Sequence, residues 1–113
     1  MIRLELPIPP SLNNAYVNLP GHGRVASHRL KRWKVEAGWE ARCQRPGKVL
    51  GPFRFAIFLP ATIKGDASNR IKVAEDLMVA LQITPDDRHA ISSKAEKSEA
   101  VPYGRCIVQI EEA

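Results

Sequence analysis

Carboxylates, a lysine and an asparagine concentrate between Lys64 and Arg88. Asp66 stands at the mouth of an expected helix, in Lys64-Gly65-Asp66-Ala67-Ser68-Asn69-Arg70-Ile71-Lys72, and Asp86 and Asp87 stand in the turn beyond its other end. Oxygen donors of this kind suit a hard divalent cation such as Mg²⁺, which takes one or two carboxylates and completes its shell with water and substrate phosphate. A cation so held can supply a hydroxide nucleophile and neutralise the charge that builds on a phosphodiester. Asn69, Lys72 and Asp76 are spaced to share one helix face, which lies opposite the apolar stripe at about 100° per residue. The same residues also have a plain structural reading. Asp66 could cap a helix, Asp86-Asp87 after Pro85 is ordinary turn chemistry, and any amphipathic helix has a polar row. Spacing alone does not bring aspartates at opposite ends of a helix together; the sheet or a second subunit must do so.

The elements that would position these groups can be read from periodicity. Ile2 to Leu6 alternates apolar and polar residues as a half-buried strand does, and Pro7, Pro9 and Pro10 end it because proline cannot donate to a ladder. Ser11 to Ala26, with Asn13, Asn14, Pro20, Gly21 and Gly23, reads as an irregular loop. Ser27 is the expected N-cap of a helix running to about Cys43, with Leu30, Trp33, Ala37 and Ala41 as its apolar stripe. Trp33 and Trp39, six residues apart, cannot both lie in phase on that stripe. Each is expected in the core or at its flank, with an exposed position for one of them left open. His28, Arg29, Lys31, Arg32 and Lys34 crowd the first two turns, where the helix dipole disfavours cations unless an external anion is bound.

Phe53 to Leu59 is the strongest strand candidate, closed by Pro60. Asn69 to Gln82 follows as a second helix, with Ile71, Ala74, Leu77, Met78 and Leu81 on one face; Val79, on its polar side, hints at a subunit contact. His89 to Ser98 is a polar strand candidate, and Arg105 to Ile110 is a last strand. The order β-α-β-α-β-β implies a mixed α/β fold: one small domain spanning 1–113, with a four-stranded mixed sheet and two helices on one face.

Composition narrows the class. The chain has 113 residues, 44% of them apolar, which suits one folded domain and excludes intrinsic disorder. No apolar run approaches the roughly 20 residues of a membrane helix, and charges interrupt the N-terminus where a secretory peptide would be apolar. The expectation is therefore a soluble intracellular domain without a membrane partner. Cys43 and Cys106 lack CxxC spacing and read as buried structural thiols, and His22, His28 and His89 lack zinc-site spacing. The net charge of +5 points toward a polyanion such as nucleic acid.

Three segments together resemble the RusA family of Holliday junction resolvases: Leu6-Pro7-Ile8-Pro9-Pro10-Ser11-Leu12-Asn13-Asn14, then Gly65-Asp66-Ala67-Ser68-Asn69-Arg70-Ile71-Lys72, then Pro85-Asp86-Asp87. The resemblance spans nearly the whole chain. It implies a Mg²⁺-dependent endodeoxyribonuclease, Mn²⁺ being the other metal considered, that nicks four-way DNA junctions in symmetric pairs. In that family's pattern Asp66 and Asp87 are metal ligands, and Lys72 stabilises the charged phosphate or the leaving oxygen. Asn69 matches the central motif's asparagine, and Asn13 and Asn14 match the N-terminal pair near the DNA backbone. The resemblance also implies a homodimer, whose two related sites suit two symmetric cuts, and no small-molecule cofactor. The expected compartment is cytoplasmic, for a bacterial or phage gene alike.

Ser68 departs from the pattern, standing where the family has a second aspartate. Its hydroxyl is a neutral ligand that can hold a metal's water without adding charge. Glu75, Asp76 or Asp86 could compensate, Asp86 being nearest in sequence to a matched ligand. Arg24, Lys31 and Arg32 are expected to hold DNA arms through phosphates, so binding should weaken as salt rises. Two other readings accompany the nuclease: a branched-DNA-binding protein of the same fold inactivated through Ser68, and a small interaction protein whose charge is merely solvated.

Overall fold

The computed structural model describes residues 1–113. Strand β1 is Ile2–Pro7, followed by a short helix α1, Leu12–Ala15, and by strands β2, Tyr16–Leu19, and β3, Gly23–Ala26. Helix α2 spans His28–Cys43, β4 spans Phe53–Pro60, and a 3₁₀ turn at Ala67–Arg70 leads into α3, Ile71–Ala80. A second 3₁₀ turn at Asp87–His89 precedes β5, Ala90–Ser98, and β6 is Arg105–Glu112. Setting aside the short pieces, this is the expected β-α-β-α-β-β order.

The four long strands form one mixed sheet in the order β1-β6-β4-β5. β6 pairs antiparallel with both β1 and β4, whereas β4 and β5 run parallel. Alternate residues face the helices: Leu4 and Leu6 of β1, Phe53 to Leu59 at odd positions of β4, and Cys106, Val108 and Ile110 of β6. Leu30, Trp33, Ala37 and Ala41 of α2 join them in a single cluster with Val73, Ala74, Leu77 and Met78 of α3. Both helices thus cover one face, as the stripes imply.

Side chains tie the helices to the sheet edge. Ser27 caps α2 by accepting from the Leu30 N–H at 3.2 Å, and its hydroxyl donates to the Asn14 carbonyl at 2.7 Å, joining α1 to α2. The Gln44 amide both accepts from the Glu5 N–H and donates to the Glu5 carbonyl, at 3.0 and 2.8 Å. This occupies the open side of β1, where an unpaired edge would otherwise invite another strand. The other edge, β5, carries Lys94, Glu96 and Lys97, charges that discourage pairing.

Three expectations are corrected. Residues 11–26 are not an irregular loop, because Ala15 is buried and Leu12 packs against the core, while β2 and β3 pair as a hairpin. Gly21 and Gly23 supply the positive φ angles of its turn, which is why the segment looks loop-like in sequence. Cys43 is exposed, since it lies off the α2 stripe, and only Cys106 is buried, where desolvation pushes its thiol up to about 12. Trp39 is neither core nor flank: it is 69% exposed, against 5% for Trp33, whose indole N–H donates to the Pro7 carbonyl at 2.9 Å. No helix is long and apolar enough to cross a membrane.

The chain leaves α3 by a Schellman reversal. Gln82 takes φ +61°, its N–H reaches the Val79 carbonyl, and the Ile83 N–H reaches the Met78 carbonyl. Ile83 and Met78 are both buried, the apolar contact that accompanies this motif. Glycine is the residue this conformation favours, so Gln82→Gly should raise the urea unfolding free energy by up to about 1 kcal/mol. A β-branched Gln82→Val should lower it, and equal midpoints for the two variants would refute the reading.

Candidate active site

Parallel strands need a crossover connection, and the crossover from β4 to β5 contains every acidic residue singled out between Lys64 and Arg88. Gly65, at φ +84°, turns the chain out of β4, and Asp66 occupies the N-cap position of the first 3₁₀ turn. It does not act as a side-chain cap. Its backbone carbonyl accepts from the Asn69 N–H at 3.2 Å, while its exposed carboxylate makes no hydrogen bond or ion pair.

At the start of α3 the Lys72 ammonium forms an ion pair with Asp76 at 3.1 Å and donates to the Asp87 carboxylate. Asp87 lies fifteen positions away in sequence. The reversal at Gln82 turns the chain back along α3, so the contact forms within one subunit. Glu75, 8% exposed, accepts from the Ser93 hydroxyl on β5 at 2.9 Å. Asp86 behaves as turn chemistry, its carboxylate accepting from the Arg88 N–H at 3.2 Å, and it also sits against Asp87.

These groups share a field. The hydrogen bond to Asp87, then that to Asp76, pushes the Lys72 pKa above the ordinary lysine range. Lys72, followed by Asp86, holds the Asp87 carboxyl below the usual carboxylate range. Burial pushes Glu75 up, with the Asp87 and Asp76 charges adding in the same direction against the Ser93 bond and Lys72. Asp76 and Asp87 thus contact the Lys72 ammonium directly, Glu75 feels its charge, and Asp86 beside Asp87 pairs with Arg88 at 3.9 Å.

The donor chemistry of this region fits a hard cation. All the candidate donors are oxygens, Asp66 is unpartnered, and a positive charge already sits among the other carboxylates. No three His, Cys, Asp or Glu side chains converge on a common point as a closed metal cage would. Magnesium needs no such cage, since it keeps waters and binds through one or two carboxylates. Of the expected metal donors, Asp87 and Asp86 belong to the cluster, while Asp66 and Ser68 are exposed on the 3₁₀ turn without a bond to it. Glu75, Asp76 and Asp86, the acids offered in place of a carboxylate at Ser68, all lie in the cluster.

The expected DNA-contacting residues are spread over a wider surface. Asn13 and Asn14 are exposed on α1, where the Asn14 amide donates to the Ser11 hydroxyl at 3.2 Å. Lys31 and Arg32 are exposed on α2. Arg24 lies over the Tyr16 ring across the hairpin, 4.7 Å from its centroid. Asn69 is half-buried in the 3₁₀ turn.

Periodicity also holds a clue to Glu75: Ile71, Ala74, Glu75 and Met78 follow the i, i+3, i+4, i+7 pattern, so an acid stands in the apolar stripe. Its partner Ser93 had no such signal, because it stands among the polar residues Ser92 to Lys94 of β5. Arg70 was also missed. Its guanidinium donates to the Pro9 carbonyl, while desolvation and then Arg29 pull its pKa down.

No protein-family model matches the chain, and no curated protein matches it.

Because burial raises Glu75 in the folded state, its ionisation costs stability above the folded pKa and nothing below the unfolded one. Glu75→Gln keeps an acceptor for Ser93 and removes that cost. The variant should unfold at higher urea than the parent at about pH 7, with the gain disappearing near pH 4, below the ordinary glutamate pKa.

Proposed function

We propose that this chain is a Mg²⁺-dependent endodeoxyribonuclease that resolves four-way DNA junctions. The observation that carries the reading is the meeting of Lys72 with Asp87 across the crossover. Two segments matched independently to the RusA pattern, one at each end of α3, thus supply side chains to a single polar cluster. Simple solvation of an amphipathic helix does not require such a meeting.

Asp66 and Asp87 would hold the metal, with Asp86 beside Asp87 and Ser68 able to hold one of its waters. Magnesium, when bound, makes a water nucleophilic near neutral pH and offsets charge on the phosphodiester. Lys72 is the cation this chain supplies itself. Its ammonium, kept protonated by Asp87 and Asp76, would stabilise negative charge growing on the phosphate or on the leaving oxygen. Asn13, Asn14 and Asn69 fix the backbone, and Arg24, Lys31 and Arg32 contact phosphates of the arms. Symmetric paired nicks call for two copies of the site, hence a homodimer, and the cytoplasm of a bacterium, whether the gene is its own or a phage's, is the setting.

Ser68 favours a second reading, a branched-DNA-binding protein with weakened or lost catalysis. It is exposed at the family's aspartate position and has no charge to offer.

Single exchanges separate binding from cutting. Asp66→Asn and Asp87→Asn should each lower the single-turnover nicking rate on a four-way junction by about 100-fold or more, with junction affinity changed less than about threefold. A wild-type chain that binds junctions but nicks only after Ser68→Asp would establish the second reading. Unchanged nicking by both asparagine variants would contradict the assignment of the site.

A further inference from the structure

A basic concavity lies apart from the carboxylate cluster. It is a cavity of about 520 Å³ between the proline turn Pro7–Pro10, the first two turns of α2 and Arg70. Its charged lining is Arg29, Arg32 and Arg70 with a single acid, Glu36. None of these three arginines forms an ion pair, and Glu36 pairs with none of them.

The wall is preorganised. Pro7, Pro9 and Pro10 have no N–H to donate, so their carbonyls are the available groups of this turn. The Trp33 indole takes that of Pro7, and one Nη of Arg70 takes that of Pro9. Arg70 is thereby anchored in a fixed pose, and its Nε is buried without any acceptor. A buried donor left unpaired is costly, and charged donors are the costliest. Arg29 and Arg32 bring two further guanidiniums from a helix with no acidic residue in its first turn. There the dipole adds positive potential to theirs. An anion with several acceptor oxygens in this cavity would meet three guanidiniums that have no carboxylate partner, and a phosphate suits guanidinium forks best.

We propose that this cavity is a phosphate-binding pocket, in which Arg29, Arg32 and Arg70 hold one phosphate ester. Its volume falls within the roughly 300–1,000 Å³ of small-ligand pockets, so a sugar attached to the phosphate can enter as well. The proposal uses none of the cluster's residues and shares only Arg32 with the DNA contacts proposed above, so it stands or falls apart from nuclease activity. The phosphate can belong to a nucleic-acid backbone or to a free nucleotide; the recognition chemistry is the same.

Calorimetric titration of the full chain with inorganic phosphate at low ionic strength tests the pocket. Saturable binding of one phosphate per chain is expected, weakened by about tenfold or more in the double variant R29A/R32A. Both residues are exposed, so the fold should survive, and circular dichroism checks this. Arg54→Ala with Lys97→Ala removes the same charge from elsewhere on the surface and should leave phosphate binding within about twofold. Thymidine 5′-monophosphate and a DNA duplex then identify the source. Displacement of phosphate by duplex, with the salt slope reduced by about two in R29A/R32A, assigns the pocket to a backbone phosphate. Tighter binding of the nucleotide without competition by duplex assigns it to a small phosphorylated ligand. Absence of saturable phosphate binding, or equal losses in the two double variants, overturns the proposal.

Discussion

Two parallel neighbouring strands cannot be joined by a tight turn; the chain must leave the sheet, cross a face and return. Here that requirement falls on β4 and β5, and the crossover it imposes is α3 with its two flanking 3₁₀ turns. The polar groups depend on this connection. Asp66 stands where the chain leaves the sheet, Lys72 and Glu75 on the crossing helix, and Asp87 where the chain comes back. The buried side of α3 fixes its rotation through Val73, Ala74, Leu77 and Met78, so the phase of the opposite side is fixed too. The reversal at Gln82 sets the distance, bringing the return segment near enough for Lys72 to reach Asp87.

The cluster so assembled is rich in negative charge: Lys72 pairs with Asp76 and Asp87, and Arg88 with Asp86. Two cations, Lys72 and Arg88, among Glu75, Asp76, Asp86 and Asp87 leave an excess of acid, while the Lys72 hydrogen bond holds Asp87 down and burial pushes Glu75 up. Such a field favours a further cation and disfavours DNA phosphates unless that cation is present. The arginines flanking the proline turn have the reverse imbalance, three guanidiniums with one acid. A duplex arm laid across the molecule would therefore meet attraction at α2 and repulsion at the cluster. Such a field could orient a polyanion as well as hold it.

The sequence made most long elements legible through their apolar patterns: alternation in β1, a nearly continuous apolar run in β4, and stripes in α2 and α3. The short ones were hidden by their turn residues. In residues 11–26 Pro20, Gly21 and Gly23 are genuine turn formers, and they obscure the β2–β3 pairing that they connect. Trp39 and Cys43 show a different limit. Residue type argued for burial, whereas their positions on α2 put them outside the stripe, and geometry prevailed. The polar side of α3 was visible as a face. Its meeting with Asp87 was not, because that contact depends on a left-handed residue after the helix and on a return path, neither of which periodicity encodes. Arg70 was opaque for a similar reason: its anchor is a proline carbonyl sixty-one positions away.

The central claim is that the crossover carries a metal-dependent site for cutting branched DNA. It is tested most directly by incubating the wild-type chain with a synthetic four-way junction and, in parallel, a linear duplex of the same sequence, each with and without Mg²⁺. The account predicts paired nicks near the crossover point of the junction only when the metal is present, with the duplex left intact. No nicking of the junction with either Mg²⁺ or Mn²⁺, or equal cutting of junction and duplex, would contradict it.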